Sequence, residues 1–318
     1  MILSIGLPTF NRCNYLKETL DCLLPQLVGY ENDIELIISD NASQDETKKV
    51  VDLAKSKNEF PIAYYRREVG VSGEENFITT CERCVGKYIF LMGDDDILSP
   101  NFISIIIPYL KSEEDFAAIH WNRLTGDKDC SNNALVDKIF QGKAVEILNS
   151  KDFVMRVMEK PNFMSSIIFK KKMLEIGKPY FKDDYFGFRF FAQMYFGVLL
   201  SGGVCLYYYL PLVLQRNPSK TWIKYWPQYL IGSLSNIFYD FDKNLPGVYE
   251  KWVKQIKLDI PSVLPDISHF REYYRRRTVK SIMFKHLSLY ERLLYYFYLA
   301  PGSFFLYRVV RKVKSLLR

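Results

Sequence analysis

Four short apolar runs alternate with helically spaced stretches over the first third of the chain, and this alternation restricts the fold more than any other feature. The runs are Ile2–Leu7, Ile34–Ser39, Ile62–Tyr65 and Tyr88–Met92. Each is too short for a globular helix and rich in strand formers. Between them, Tyr15–Leu27 places Leu16, Leu20, Leu23 and Leu27 on one helical face, and further helices are expected over Asp45 to about Lys57 and Asn76–Val85. Strand–helix alternation at this spacing predicts a Rossmann-like, mostly parallel sheet with crossover helices. Ligands of such sheets sit beyond the carboxyl ends of the strands. The polar groups expected there are Thr9, Asn11, Arg12, Asp40, Asn41 and Asp94–Asp96, which should converge on one crevice. Pro8 is expected to end the first strand.

The fourth run stops at three consecutive acids, Asp94, Asp95 and Asp96, before a turn-to-helix signal at Ser99-Pro100. Adjacent carboxylates raise one another's pKa and resist joint ionisation. A divalent cation removes the conflict, since hard oxygen ligands suit Mg2+ or Mn2+. The same residues also fit a solvated turn, with Asp96 or Ser99 as N-cap of the next helix. Asp40 fits either ligand binding or an Asx turn ahead of the second helix. Arg12 fits either a binding cation or an ordinary exposed one, and Asn76 either a binding residue or an N-cap.

No Gly-x-Gly-x-x-Gly follows the first strand and no Gly-x-x-x-x-Gly-Lys-Ser/Thr occurs, which disfavours dinucleotide dehydrogenases and P-loop ATPases. With 318 residues, 48% of them hydrophobic, the chain can form one large domain or two smaller ones. Met1–Ile5 lacks the basic start of a signal peptide. The six cysteines are therefore expected as free thiols of a reducing compartment. Cys81 and Cys84 read as an ordinary thiol pair, and His120 as a packed strand histidine with no partner spaced for a metal. Phe116–Trp121 is expected as a strand and Thr125–Lys138 as a loop.

Taken together, these motifs resemble family 2 glycosyltransferases of the GT-A fold. The matching pieces are Pro8-Thr9-Phe10-Asn11-Arg12, Ser39-Asp40-Asn41-Ala42-Ser43, Gly73-Glu74-Glu75-Asn76 in part, and Gly93-Asp94-Asp95-Asp96 in place of an Asp-x-Asp block. Gly-Asp-Asp-Asp with Ser-Asp-Asn-Ala-Ser upstream looks most like the abequosyltransferase subgroup of O-antigen synthesis. The resemblance covers residues 1 to about 110 and, more loosely, 160–216. It implies that Pro8, Thr9, Phe10, Arg12, Asp40, Asn41 and Asn76 hold the base and ribose of a nucleotide-sugar. Asp94 and Asp95 would also contact that donor, and Asp94, Asp95 and Asp96 would bind the metal bridging its diphosphate.

The resemblance also implies a general base in the Asp183-Asp184-Tyr185 stretch before an apolar helix expected over Phe186–Leu200. Asp184 is preferred over Asp183, and N-capping of that helix accounts for the same two residues. Phe163–Phe169 reads as a strand ending in Lys170-Lys171-Lys172. Such a strand faces the acceptor in related enzymes, which makes Ser165 and Ser166 acceptor-site candidates. Leu210–Arg216 is similar to the family's closing strand and puts Arg216 near the diphosphate or acceptor.

This reading divides the chain into a GT-A domain, residues 1–217, and a helical, basic, aromatic region, residues 218–318. From Arg271 onward twelve Lys or Arg stand against two acids, a net +10, leaving −3 for the rest of the overall +7. Leu293–Tyr307 is apolar but broken by Ala300-Pro301-Gly302, too short to span a bilayer. Basic residues interleaved with Tyr, Phe and Leu suit the interface of an anionic leaflet. No nucleic-acid recognition motif accompanies them. The expected protein is cytoplasmic and peripheral on the inner face of the membrane, acting on a lipid-linked or oligosaccharide acceptor, with oligomeric state left open. A nucleotidyltransferase and a degenerate transferase kept as a scaffold are the competing readings.

Overall fold

The structure, a computed structural model, describes residues 1–127, 130–136, 143–158, 163–185, 187–216 and 233–252. The chain divides into two compact units. The first holds Met1–Phe181 and Arg189–Ser219, and the second Lys182–Phe188 and Lys220–Arg318.

The first unit begins with the expected alternation: β1 (Leu3–Thr9), α1 (Cys13–Leu27), β2 (Ile34–Asp40), α2 (Thr47–Lys57), β3 (Ile62–Arg66), α3 (Gly73–Arg83) and β4 (Tyr88–Leu91). β2 and β4 flank β1, and β3 adds outside β2, all parallel. Side chains alternate across the pleat. Leu3, Ile5 and Leu7 join a buried core with Leu16, Leu20 and Leu23 of α1. Ser4 and Gly6 take the other face, where α3 comes so close that a Cβ at Gly6 would lie 2.6 Å from Thr80 Cγ2.

Pro8 does not end β1, which continues to Thr9. Pro8 has the strand parity of Gly6, whose carbonyl accepts from Met92 N at 2.9 Å. Its missing N–H therefore falls on the side where β4 is ending, and no ladder bond is lost.

After β4 the chain forms β5 (Ile97–Leu98), α4 (Phe102–Lys111), β6 (Ala118–Gly126), β7 (Ala134–Leu135), β8 (Val145–Asn149), α5 (Ser150–Met158), β9 (Ile167–Lys170), α6 (Lys172–Ile176), α7 (Arg189–Ser201) and β10 (Val204–Arg216). The principal order is β3-β2-β1-β4-β9-β6-β10-β5 in one ten-stranded sheet. β9 is antiparallel to both β4 and β6, and β10 is parallel to β6. Parallel pairing, as expected, runs through β3-β2-β1-β4 and returns between β6 and β10. Beyond β4 the strands β9, β5, β7 and β8 run antiparallel to their neighbours, so the sheet is mixed. Two reversals of direction bring the carboxyl ends of β6 and β10 to the same edge as those of β1, β2 and β4. Part of the loop expected over Thr125–Lys138 is also paired, through β7 on β6.

Three capping expectations are corrected. The N-cap of α4 is Asn101, while Asp96 lies buried in the preceding turn and Ser99 precedes the helix by a full step. α3 starts at Gly73 with Ser72 as its cap, so Asn76 is inside the helix. α7 starts at Arg189, beyond reach of capping by Asp183 or Asp184, and its first N–H donates to Glu74 Oε1 at 2.7 Å. α6 and α7 touch backbone to backbone: a Cβ at Gly197 would stand 1.8 Å from Met173 O, and one at Gly177 1.7 Å from Gln193 O.

In the second unit the described residues form a 3-10 turn, Asp183–Tyr185, and helix α8 (Leu234–Asp242), followed by a segment to residue 252. Phe238 stacks on Trp252 with centroids 4.3 Å apart. The helices expected beyond this segment, and the basic aromatic tail, lie outside the described residues. Among the described residues no helix is long and apolar enough to cross a membrane.

Candidate active site

The carboxyl end of β4 opens into a tight turn at Gly93. Two other elements grip the backbone of this turn. Thr19 of α1 donates through Oγ1 to the carbonyls of Asp94 and Asp96, each at 3.0 Å. Arg216, the last residue of β10, donates through Nε to the carbonyl of Asp95. Its Nη1 pairs with Glu18, and its guanidinium lies over the Tyr15 ring at 5.0 Å. Arg216 is 3% exposed and lies beneath the acidic turn.

The three acids turn in different directions. Asp94 accepts from Thr9 Oγ1 at 2.6 Å and from Arg12 Nη1 at 3.1 Å. The same Arg12 nitrogen reaches Asp95 Oδ2 at 2.7 Å. Asp96 points inward and accepts from Ser165 Oγ at 2.5 Å, while Ser165 Oγ also accepts from Gly93 N at 2.8 Å. Ser165 is therefore built into the acidic turn. Ser166 is fully buried beside it, and its hydroxyl has no hydrogen-bond partner.

Burial dominates the electrostatics. It pushes the Asp94 carboxyl up to about 6 against the opposing charge of Arg12. Asp95 is raised by the same burial, again opposed by Arg12. Asp96 rises furthest, through burial and then the charge of Asp95. Burial lowers the Arg12 pKa, but the charges of Asp94 and Asp95 outweigh it and the net shift is upward. Arg12 is thus no idle surface cation.

Asp40 and Asn41 form a second network. Asp40 is fully buried, accepts from Ser43 N at 2.8 Å and from Tyr64 Oη at 2.6 Å, and faces Arg66 Nε at 3.5 Å. The carboxylate thus accepts from the backbone three residues on and ties the loop ahead of α2, rather than closing a two-residue Asx turn. Asn41 clasps Val71 through both amide atoms, at 2.8 and 2.9 Å, and so holds the loop after β3. Asn76 clasps Ser39 in the same way, at 2.9 and 3.0 Å. The two networks meet where Asn41 N donates to Thr9 O and Asn11 N donates to Ser43 Oγ, both at 2.9 Å. Asn11 takes a positive φ of 52°, which turns the chain sharply after β1. Pro8 is buried, whereas Phe10 is half exposed at the rim and free to cover a flat ligand.

Sequence reasoning singled out Thr9, Arg12 and the three acids, which the structure brings together, but assigned nothing to Thr19, Glu18 or Tyr64. Thr19 had a signal, being the polar member of an otherwise leucine-lined helical face. Glu18 and Tyr64 had none. His120 is packed as expected, stacked on Tyr207 at 5.1 Å, and burial lowers its pKa to about 3. Cys81 and Cys84 are buried free thiols.

Among the described residues no three His, Cys, Asp or Glu side chains are grouped to hold a metal ion. The donor chemistry of the turn nevertheless suits a hard divalent cation. It supplies carboxylate oxygens whose charge is poorly compensated, and Asp96 Oδ1 is buried without a hydrogen-bond partner.

A parallel βαβ half, an acidic turn at its switch point and an antiparallel extension make this the GT-A fold. Residues 4–175 match the glycosyl transferase family 2, and the chain belongs to that family. Abequosyltransferase RfbV of Salmonella typhimurium is 36% identical over 115 residues, 36% of this chain and 34% of that protein. GalNAc(5)-diNAcBac-PP-undecaprenol beta-1,3-glucosyltransferase of Campylobacter jejuni is 28% identical over 191 residues, 58% of this chain and 56% of its own length. The matches thus span between a third and just over half of these relatives. The crystal structure of S. aureus TarS 1-349 superposes with a TM-score of 0.61 at 13% identity, covering 97% of this chain and 91% of that one. Mannosyltransferase PcManGT from Pyrobaculum calidifontis, in complex with GDP-Man and Mn2+, gives 0.55 at 15% identity, covering 93% and 84%.

Proposed function

We propose that this protein transfers a sugar from a nucleotide-sugar donor to a lipid-linked glycan in surface polysaccharide synthesis, O-antigen or capsule. The observation that carries the reading is the buried acidic turn Asp94–Asp96, wired to Thr9 and Arg12 where a nucleotide would lie on a parallel sheet. The names of the two curated relatives support a sugar transfer, and one of them specifies an undecaprenol-linked acceptor.

Asp95, with Asp94 and Asp96, would hold a divalent metal. When bound, it would offset the charge that builds on the departing nucleoside diphosphate. The chain's own residues do the rest. Thr9 and Arg12 orient Asp94 and Asp95. Phe10 covers the base, and Asp40 and Asn41 shape the floor of its pocket. Asp184, or Asp183, takes the proton from the acceptor hydroxyl as that oxygen displaces the diphosphate in a single inverting step.

A thermal-shift panel of UDP, GDP, CDP and dTDP, each with Mn2+ and with EDTA, tests the reading. One nucleotide should raise Tm only with the metal, since a ligand of the folded state stabilises by mass action. A shift of equal size in EDTA would remove the metal role, and no shift with any nucleotide would count against the donor site.

Peripheral attachment to the cytoplasmic face rests on the charge and aromatic content of the tail. In flotation with anionic liposomes, the full chain should rise with the lipid and a chain ending at Leu289 should stay behind. Failure of the full chain to float would overturn the attachment.

A further inference from the structure

Thr79 and Thr80 of α3 show where a helical threonine commonly turns its hydroxyl. Each bonds back to the carbonyl four residues earlier, Thr79 to Glu75 at 2.8 Å and Thr80 to Asn76 at 2.6 Å. Thr19 of α1 is as deeply buried as Thr80, both at 0% exposure, yet its hydroxyl is directed off the helix. It stands 3.0 Å from the carbonyl oxygens of both Asp94 and Asp96, 75 and 77 residues further along the chain. A hydroxyl carries one proton, so the two carbonyls share it in a three-centre bond. That bond fixes the spacing of the two residues on either side of Asp95.

The carbonyl between them is held as well, by Arg216 Nε. Three successive carbonyls of the turn are thus fixed by two buried side chains, Thr19 and Arg216. The carboxylates of Asp94 and Asp95 are met separately, both by Arg12 Nη1. Arg12 is the N-cap of α1, seven residues before Thr19 and about 10 Å from it along the helix axis. One helix therefore holds the acids at two levels, their carboxylates at its N-terminus and their backbone two turns on. Leu16, Leu20 and Leu23 anchor that helix in the core, so Thr19 cannot shift unless the core shifts with it.

Carboxylates that share a small divalent ion need a set spacing, because such an ion tolerates little departure from its preferred geometry. Bonds to the backbone set that spacing without occupying a carboxylate oxygen. Groups standing behind the ligands govern metal affinity in this way. We propose that Thr19 is a positioning residue for the acids of the donor site: by bridging the Asp94 and Asp96 carbonyls it sets where the Asp94 and Asp95 carboxylates stand, and Arg216 secures the peptide between them. This deepens the transferase reading and rests on it. Thr19 acts through the turn and touches neither donor nor ion.

The test is a Mn2+ titration of the full chain, followed by loss of the free-ion EPR signal, in the presence of UDP, GDP, CDP or dTDP. The Tm of each ligand-free variant is measured beside it. Thr19→Val keeps the shape of the side chain and removes the hydroxyl. Its Mn2+ affinity, with the nucleotide that binds, should fall about tenfold or more. Thr19→Ser restores the hydroxyl and should recover most of the loss. Thr80→Val is the control: it removes an equally buried hydroxyl that bonds within α3, and its Mn2+ affinity should hold whatever its Tm. Arg216→Met covers the case in which Thr19→Val fails to fold. Removing a cation beside the acids should by charge alone tighten Mn2+ binding, so a fall in that variant reports lost placement. Wild-type affinity in Thr19→Val, a loss that Thr19→Ser does not recover, or an equal loss in Thr80→Val would each overturn the inference. Unchanged or tighter binding by Arg216→Met would overturn it where Thr19→Val does not fold. A wild type that binds no Mn2+ with any of the four nucleotides overturns the donor-site reading itself, and the inference falls with it.

Discussion

Asp95→Asn should abolish sugar transfer while leaving the protein folded. Its side chain is 15% exposed, against 5% for Asp94, so among these two it is the carboxylate that faces a ligand. The amide keeps a contact for Arg12 and nearly the same volume but removes the charge a metal–diphosphate needs. Loss of one preorganised charge at such a centre costs about three orders of magnitude in turnover. The expected readouts are an unchanged Tm, loss of the metal-dependent nucleotide shift, and no polysaccharide in cells. Retained polysaccharide would make the protein a scaffold.

The same site sets a pH dependence. Asp94 has its pKa raised to about 6 by burial. As the pH falls through that value Asp94 takes up a proton, so metal-dependent nucleotide binding should weaken below about pH 6. The ligand-free protein should show the opposite trend from this group. A carboxyl raised by folding contributes stability in full below its unfolded pKa, and that contribution is lost as the pH rises through about 6.

The second large effect is structural. Gly197→Ala should destabilise the first unit by about 3 kcal/mol or more, because overpacked backbone contacts cannot relax by rotamer change. The new methyl would stand 1.8 Å from Met173 O, and the facing residue, Gly177, already lies against the α7 backbone. At this size of domain, that corresponds to a Tm lower by roughly 6–12 °C. Gly73→Ala is the control: nothing lies within 4 Å of its Cβ position, and the site starts a helix. Its Tm should stay level or rise. Equal behaviour of the two variants would mean that α6 and α7 are not in backbone contact.

The βαβ half was legible because β1, β2 and β4 are buried on both faces and so read as continuous apolar runs. In the second half the strands β6, β9 and β10 were foreseen in part, at Phe116–Trp121, Phe163–Phe169 and Leu210–Arg216, but the antiparallel pairing of β9 with β4 and β6 was not. β9 has four residues and β5 two, too few to carry a period, and the partner of each is fixed by tertiary packing. Within the site, Asp94–Asp96 announced themselves because adjacency is a local property. Arg216 gave the opposite lesson. Its type and position suggested a place near the diphosphate or acceptor, but nothing local announces the bonds that hold it, to Glu18, 198 residues away in the chain, and to the Asp95 carbonyl. Ser165 likewise supports an acid 69 residues distant. Asp183 and Asp184 read as a general base or as helix caps, because the sequence shows acids before an apolar stretch. That the segment belongs to a different unit depends on Asp240, 55 residues beyond Tyr185.

The grip of Arg216 on Glu18 and Asp95 has a consequence for how the protein is made. The family match ends at residue 175, yet the acidic turn lacks its bond from Arg216 until that residue has left the ribosome. Until then β6 lacks the long parallel neighbour that β10 provides, and its edge stays open to wrong pairing. The acid cluster thus gains its last backbone support, from Arg216, only when the strand that completes the sheet beside β6 has been made.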